Sequence, residues 1–294
     1  MKRNAKIVLL IAMVLCLTAL FVACNKNEKP AGYQLPATQF NQTYVALDSS
    51  QANTALTTIK SASGSVMPYG ENYKIFGTMT ASGAGYSVET LLDAIIGVDA
   101  ENKTVLSGYS ETKTMGIQSK GYVYVKDNKM YTNVSAMGNT AKFYTDFTES
   151  TSSPYSAQMF DGYLDMITSL ENLDGITVSK AESNGVTHYK FNFNESFIPL
   201  SASHCVIAVF NDFSVYVTME GDRVTGMKVS IDYSFKFTDE YINSLSEEAA
   251  AYLKGNFPVI TNLEIAKTEA APTFPDDLDT YPSEKEFDES YGEE

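Results

Sequence analysis

Tryptophan is absent from the 294 residues, histidine occurs twice and cysteine three times. That leaves little material for a His-based catalytic centre or a Cys/His zinc site. Positive charge is scarce as well: 21 Lys and Arg against 36 Asp and Glu give a formal charge of −15. Nucleic-acid binding needs clustered cations to displace phosphate counterions, so that class is excluded. What the chain has in quantity is Tyr (19) and Phe (16), which together with Val, Ile and Thr favour strands. A chain of this length makes one large or two small domains, and folding buries roughly three quarters of its unfolded surface without disulfide staples.

Lys2, Arg3 and Lys6 precede an apolar run over 7–23, the layout of an export signal. The run ends Leu20-Phe21-Val22-Ala23-Cys24 and turns polar at once with Asn25-Lys26-Asn27-Glu28. Small Ala23 before Cys24 resembles the lipobox of bacterial lipoproteins, with Phe21 standing where that family prefers Leu. The resemblance implies a signal peptide over 1–23, diacylglycerol on the Cys24 thiol, and an acylated (palmitate-type) new amino terminus. The implied location is the bacterial cell membrane, lipid-anchored and facing outside the cytoplasm. Two or three chains anchor stably at about 0.8 kcal/mol per buried methylene. The alternative is an uncleaved anchor, since 17 apolar residues stand at the lower limit for spanning a bilayer. Cys16 leaves with the signal, so Cys205 remains as a lone thiol. Set in the apolar run 205–210, it reads as a small buried hydrophobe rather than a nucleophile.

Loss of Lys2, Arg3 and Lys6 takes the charge from −15 to −18. Residues 270–294 hold nine Asp or Glu against Lys285 alone, with three prolines. This predicts a disordered acidic tail over 269–294 with little to bury. Residues 24–44 are polar, with Pro30, Gly32 and Pro36, and predict a flexible tether. The folded domain is then 45–268.

Alternation dominates that domain. Over 227–237, Met227, Val229, Ile231, Tyr233, Phe235 and Phe237 alternate with Lys228, Ser230, Asp232, Ser234 and Lys236. Period two of that length predicts a long strand with one apolar and one wet face. Its expected partner is 214–220, across a turn at Gly221-Asp222. Asn184-Gly185 marks a second hairpin, in which Tyr189, Phe191 and Phe193 share one face and His188, Lys190 and Asn192 the other. A third turns at Asp127-Asn128. Segments 73–82 and 104–116 read as strands, as does 86–98 in preference to a helix. Helices are expected at 153–172, where Ser153-Pro154 opens the stripe, and at 239–254, stopped by Gly255. Weaker helical patterns cover 49–61 and 202–210, and 259–267 closes the domain as a strand. Strand groups broken by isolated helices predict an α+β domain on an antiparallel sheet.

Lipobox, helix, strand meander, helix and further hairpins resemble the LolA-like half-barrel family of lipoproteins and lipid carriers (LolA, LppX, LprG and RseB type). The phrases 121–131 and 225–229 also resemble poorly characterised lipoproteins of Gram-positive bacteria. The resemblance covers about 50–268. It implies a curved antiparallel half-barrel with a few covering helices, which holds acyl chains against an apolar concave face and has no catalytic residues.

Motifs for chemistry are wanting. Ser110-Glu111-Thr112-Lys113 has Ser-x-x-Lys spacing, but lies in a strand pattern without the companion motifs of penicillin-recognising enzymes. No phosphate loop, nucleophile elbow or His-Glu-x-x-His occurs. Asp99-Ala100-Glu101-Asn102 lacks the Gly and Glu of a calcium loop. His188 is expected on a solvated face. The reading is therefore non-enzymatic, with no cofactor and no metal. A hydrophobic or lipidic ligand would sit on Tyr189, Phe191, Phe193, Met227, Val229, Ile231, Tyr233 and Phe235. The rival is an envelope interaction or sensor module with a closed core, whose partner is another envelope protein. Alternation does not separate the two, because both need the same apolar face.

Overall fold

The computed structural model describes residues 39–62, 71–83, 86–101, 103–114, 117–147, 157–194 and 206–291. The signal region, Cys24, Cys205 and the Ser153-Pro154 cap lie outside the described residues.

Among the described residues, twelve strands form one antiparallel sheet. In chain order they are β1 (Val45–Ala46), β2 (Asn72–Gly83), β3 (Tyr86–Val98), β4 (Thr104–Thr114), β5 (Ile117–Lys126), β6 (Lys129–Ala136), β7 (Asn139–Asp146), β8 (Ile176–Ser183), β9 (Val186–Phe193), β10 (Val206–Glu220), β11 (Arg223–Phe237) and β12 (Phe257–Thr268). Their order across the sheet is β1-β8-β9-β10-β11-β12-β2-β3-β4-β5-β6-β7, open at β1 and β7. Short turns fix the hairpins. Asp127-Asn128, Met137-Gly138 and Asn184-Gly185 each place two successive residues at positive φ, the twist that joins right-handed strands without splaying them.

The sequence located the hairpins but misjudged some lengths. Strand β10 extends from Val206, so the helical pattern over 202–210 is corrected from that residue onward. Its register against β11 shifts between Phe210 and Asp212, and that irregularity breaks the period-two signal. Segment 86–98 is strand β3, paired along its length with β2 and β4.

Helix α1 (Ser49–Ser61) starts from a capping box, with Asp48 accepting from the Gln51 amide and Gln51 returning the bond to Asp48. Helix α2 is Ala157–Thr168. The single helix expected over 239–254 is two, α3 (Asp239–Asn243) and α4 (Glu247–Leu253). Ser244 breaks it: its hydroxyl donates to the Tyr241 carbonyl at 2.7 Å, competing with the helix ladder.

The tail is ordered where the sequence predicts disorder. A 3-10 turn (Leu278–Thr280) and helix α5 (Glu284–Tyr291) follow β12. Leu278 and Tyr281 are buried, forming a small apolar cluster with Tyr131, Tyr124, Tyr144 and Phe274. The Tyr144 amide donates to the Pro282 carbonyl at 2.9 Å, so the tail also occupies the edge of β7. Three apolar anchors, Phe274, Leu278 and Tyr281, spaced through an acidic segment suffice to dock it, and composition averaged them away.

The segment ahead of β1 is likewise docked from Phe40 onward. Phe40 is 3% exposed, so the flexible tether expected over 24–44 gives way to packed chain at its end. Strand β1 pairs β8 at one edge of the sheet, as the Tyr144–Pro282 bond meets β7 at the other.

Candidate functional site

Alternation assigns the faces and the register joins them across strands. On the inner face, Phe191 lies opposite Val215, Val215 opposite Val229 and Val229 opposite Leu263. The next row runs Tyr189, Val217, Met227, Ile265 and Ile75. Phe193 stacks on Phe213 at 4.9 Å between ring centroids, and Phe235 on Phe257 at 5.0 Å. Tyr189, Phe191, Phe193, Met227, Val229, Ile231 and Tyr233 are all buried, and Phe235 is half-buried against them. The structure therefore gathers the eight face residues read from the sequence into one core. Ala52, Ala55, Leu56 and Ile59 of α1 and Phe160, Tyr163, Leu164 and Ile167 of α2 belong to the same cluster.

Towards β4 and β5 the inner face changes character. Ser110, Thr112, Ser119 and Thr261 are buried there. The register carries Thr261 across Met79 to Thr90, then to Thr112 and Ser119. Thr90 and Thr112 share a hydrogen bond of 3.3 Å between hydroxyls. Gly121 stands beside Ser110, where an added Cβ would come within 2.9 Å of the Ser110 hydroxyl. Sequence reasoning missed this band because it weighed Ser110 and Thr112 only as parts of a catalytic motif; their shared parity with Leu106 was the available signal.

Two of the inner-face hydroxyls are unmatched. Among the described residues, Tyr233 Oη and Thr261 Oγ1 are buried without a hydrogen-bond partner. Burial pushes the Tyr233 phenol up from its ordinary pKa, which keeps it a protonated donor.

The outer face is ionic and aromatic. Lys74 meets Asp93 at 2.8 Å and Lys228 meets Glu264 at 3.0 Å. On the inner-face side, where the register sets Lys267 opposite Tyr73 two positions beyond the Ile265–Ile75 pair, Glu71 accepts from Lys267 at 2.5 Å, Tyr73 at 2.8 Å and Arg223 at 3.2 Å, and these bonds, led by Lys267, hold its carboxyl below the usual range. Burial alone would raise Glu111, but hydrogen bonds from Tyr109 and Gln118 and the nearby Lys113 outweigh it and lower its pKa. The tail crosses this face: Phe274 lies 6.4 Å from Tyr124, whose phenol burial pushes up to about 12, and Asp277 pairs with Lys142 at 2.5 Å.

His188 is on the outer face as expected, but it is buried rather than solvated. Its Nδ1 lies 3.1 Å from Thr218 Oγ1, and Phe40 packs edge-on at 6.3 Å. Tyr44 continues the cover over Tyr216 at 5.5 Å. Gly226 makes room for this segment, since a Cβ there would meet the Gln39 amide nitrogen at 2.5 Å. Burial lowers the His188 pKa.

Among the described residues, no group of three or more His, Cys, Asp or Glu is placed to hold a metal, and no helix is long and apolar enough to cross a membrane. The arrangement offers apolar surface and neutral donors, which is a binding chemistry.

No protein-family model matches the chain, and no curated protein matches it. Among solved structures, it is similar to LprF from Mycobacterium bovis at 10% identity and a TM-score of 0.38, over 76% of this chain and 97% of that one. It is similar also to a DUF1329 family protein from Desulfovibrio piger at 10% identity and a TM-score of 0.22, over 76% and 95%. The fold itself is defined by strand order and register: a large, open antiparallel sheet with few helices.

Proposed function

We propose that the chain is an extracytoplasmic lipoprotein, anchored to the membrane through lipid on Cys24, whose sheet curves into a LolA-like half-barrel. On its inner face it holds a hydrophobic or lipidic ligand non-covalently, without enzymatic activity. The observation that supports this most is the mismatch between a continuous apolar face and its helical cover. Twelve strands about 4.8 Å apart make a face about 55 Å wide. Helices α1 and α2, of 13 and 12 residues, are each only about 20 Å long and about 10 Å thick. A curved sheet closing on so little helix suits a guest of acyl dimensions. About ten buried methylenes contribute ~8 kcal/mol gross. Lost translational and chain freedom offsets several kcal/mol of that, leaving weak to micromolar affinity, which suits a carrier that must release what it holds.

A second reading is a closed-core interaction module facing another envelope protein, and the burial of seven of the eight face residues favours it. Ile231, in the middle of β11, separates the two. With the ligand reading, Ile231→Ala changes uptake of a fluorescent fatty acid and costs well under about 2 kcal/mol of stability. A loss of about 2–5 kcal/mol, with no uptake by the unmodified protein, supports the closed core.

A further inference from the structure

Tyr233 and Thr261 lie on neighbouring strands of the inner face. Tyr233 pairs with Val259 and Ile231 with Thr261, so the two hydroxyl-bearing residues are diagonal neighbours across β11 and β12. Tyr233 is 3% exposed and Thr261 9%. Among the described residues neither hydroxyl oxygen has a hydrogen-bond partner. A buried donor left unmet is unfavourable compared with an apolar group of the same shape, so two on one face point to an acceptor that arrives from outside the chain.

The surroundings narrow the chemistry of that acceptor. In the two register rows that contain these residues, from β11 across β12, β2 and β3 to β4, every residue is apolar, a tyrosine or a threonine. The ion pairs Lys74–Asp93 and Lys228–Glu264 belong to the opposite face. A phosphate or carboxylate would therefore be buried without a counter-charge. A plain hydrocarbon would leave both hydroxyls unmet. A neutral carbonyl attached to an acyl chain satisfies both demands, with its chain along Val229 and Leu263.

We propose that Tyr233 and Thr261 form a polar subsite that donates hydrogen bonds to the ester carbonyl of an acylglycerol-type lipid, whose acyl chain occupies the apolar inner face. This rests on the ligand-binding reading above and names the chemical class it selects.

The test uses the full chain in mild detergent, with a bound fluorescent fatty acid displaced by dioleoylglycerol or by dioleylglycerol, the ether counterpart that lacks carbonyls. The unmodified protein is expected to favour the ester about fivefold to tenfold, the worth of one or two such bonds. Tyr233→Phe and Thr261→Val each reduce that preference and leave displacement by the ether unchanged. Both variants remove an unmet hydroxyl, so the ligand-free Tm should hold or rise. Equal displacement by ester and ether in the unmodified protein overturns the subsite and leaves the ligand reading standing. Absence of any probe binding overturns both. A lowered ligand-free Tm, with loss of both lipids, assigns the two residues a structural role and overturns the subsite.

Discussion

Strand β11 buries Met227, Val229, Ile231 and Tyr233 on one side, while on the other Lys228 reaches Glu264 at 3.0 Å and lies 5.7 Å from the Tyr216 ring. The inner face is held by apolar burial, which scales with area and demands little geometry. The outer face is held by ion pairs, ring contacts and the segments 40–44 and 273–281 laid over it. The first kind of surface can accept a flexible apolar guest with small adjustments. The second is already occupied: Phe40 and Tyr44 cover β9 and β10, and 273–281 covers β4 to β7. A single sheet thus has one face of apolar burial and another over which residues 40–44 and 273–281 are laid.

The contrast can be broken from either side. The largest effect is expected from the inner face: Phe191→Ala, at a fully buried position, should cost about 3–5 kcal/mol in chemical unfolding. A cost below about 1 kcal/mol would show that Phe191 borders open space rather than packed core. Next comes the tail. Deleting 270–294 removes the docked Phe274, Leu278 and Tyr281 and should cost about 2 kcal/mol after the chain entropy regained is offset. An unchanged unfolding midpoint would return the tail to the disordered state its composition predicts.

The smallest effect is the pH response of the buried and ion-paired titratable groups. His188 has a folded pKa below its ordinary 6.5, so the neutral ring contributes fully above pH 6.5. That contribution is lost as pH falls through the lowered value. Glu71 and Glu111, also lowered, lose theirs only below about pH 4.5. In Tm against pH, His188→Asn should flatten the decline that begins as pH falls below 6.5 and leave the acid limb in place. An unaltered profile would mean the ring is solvated and the N-terminal cover open.

How much of this was legible in the sequence follows the same division. The inner face was readable because apolar alternation is enforced by burial on one side: 227–237 and 189–193 kept strict period two. The Asn184-Gly185 and Asp127-Asn128 turns were readable because positive φ restricts residue choice. The outer face was not. His188 looked solvated because its cover, Phe40 and Tyr44, lies more than 140 positions away in a polar stretch. The tail looked disordered because nine acidic residues masked its few apolar anchors. The hydroxyl band was hidden for a third reason: Ser and Thr carry no facing signal of their own, and only the register puts Thr261, Thr90 and Thr112 in one row.

The claim that the inner face holds a lipid is tested most directly by mass spectrometry of the full chain purified from its membrane, sprayed under native and then denaturing conditions. A denatured mass equal to residues 24–294 plus acyl groups, together with a native mass higher by one further lipid, is the result the account predicts. Identical native and denatured masses, from protein that also takes up no fluorescent fatty acid, would contradict it.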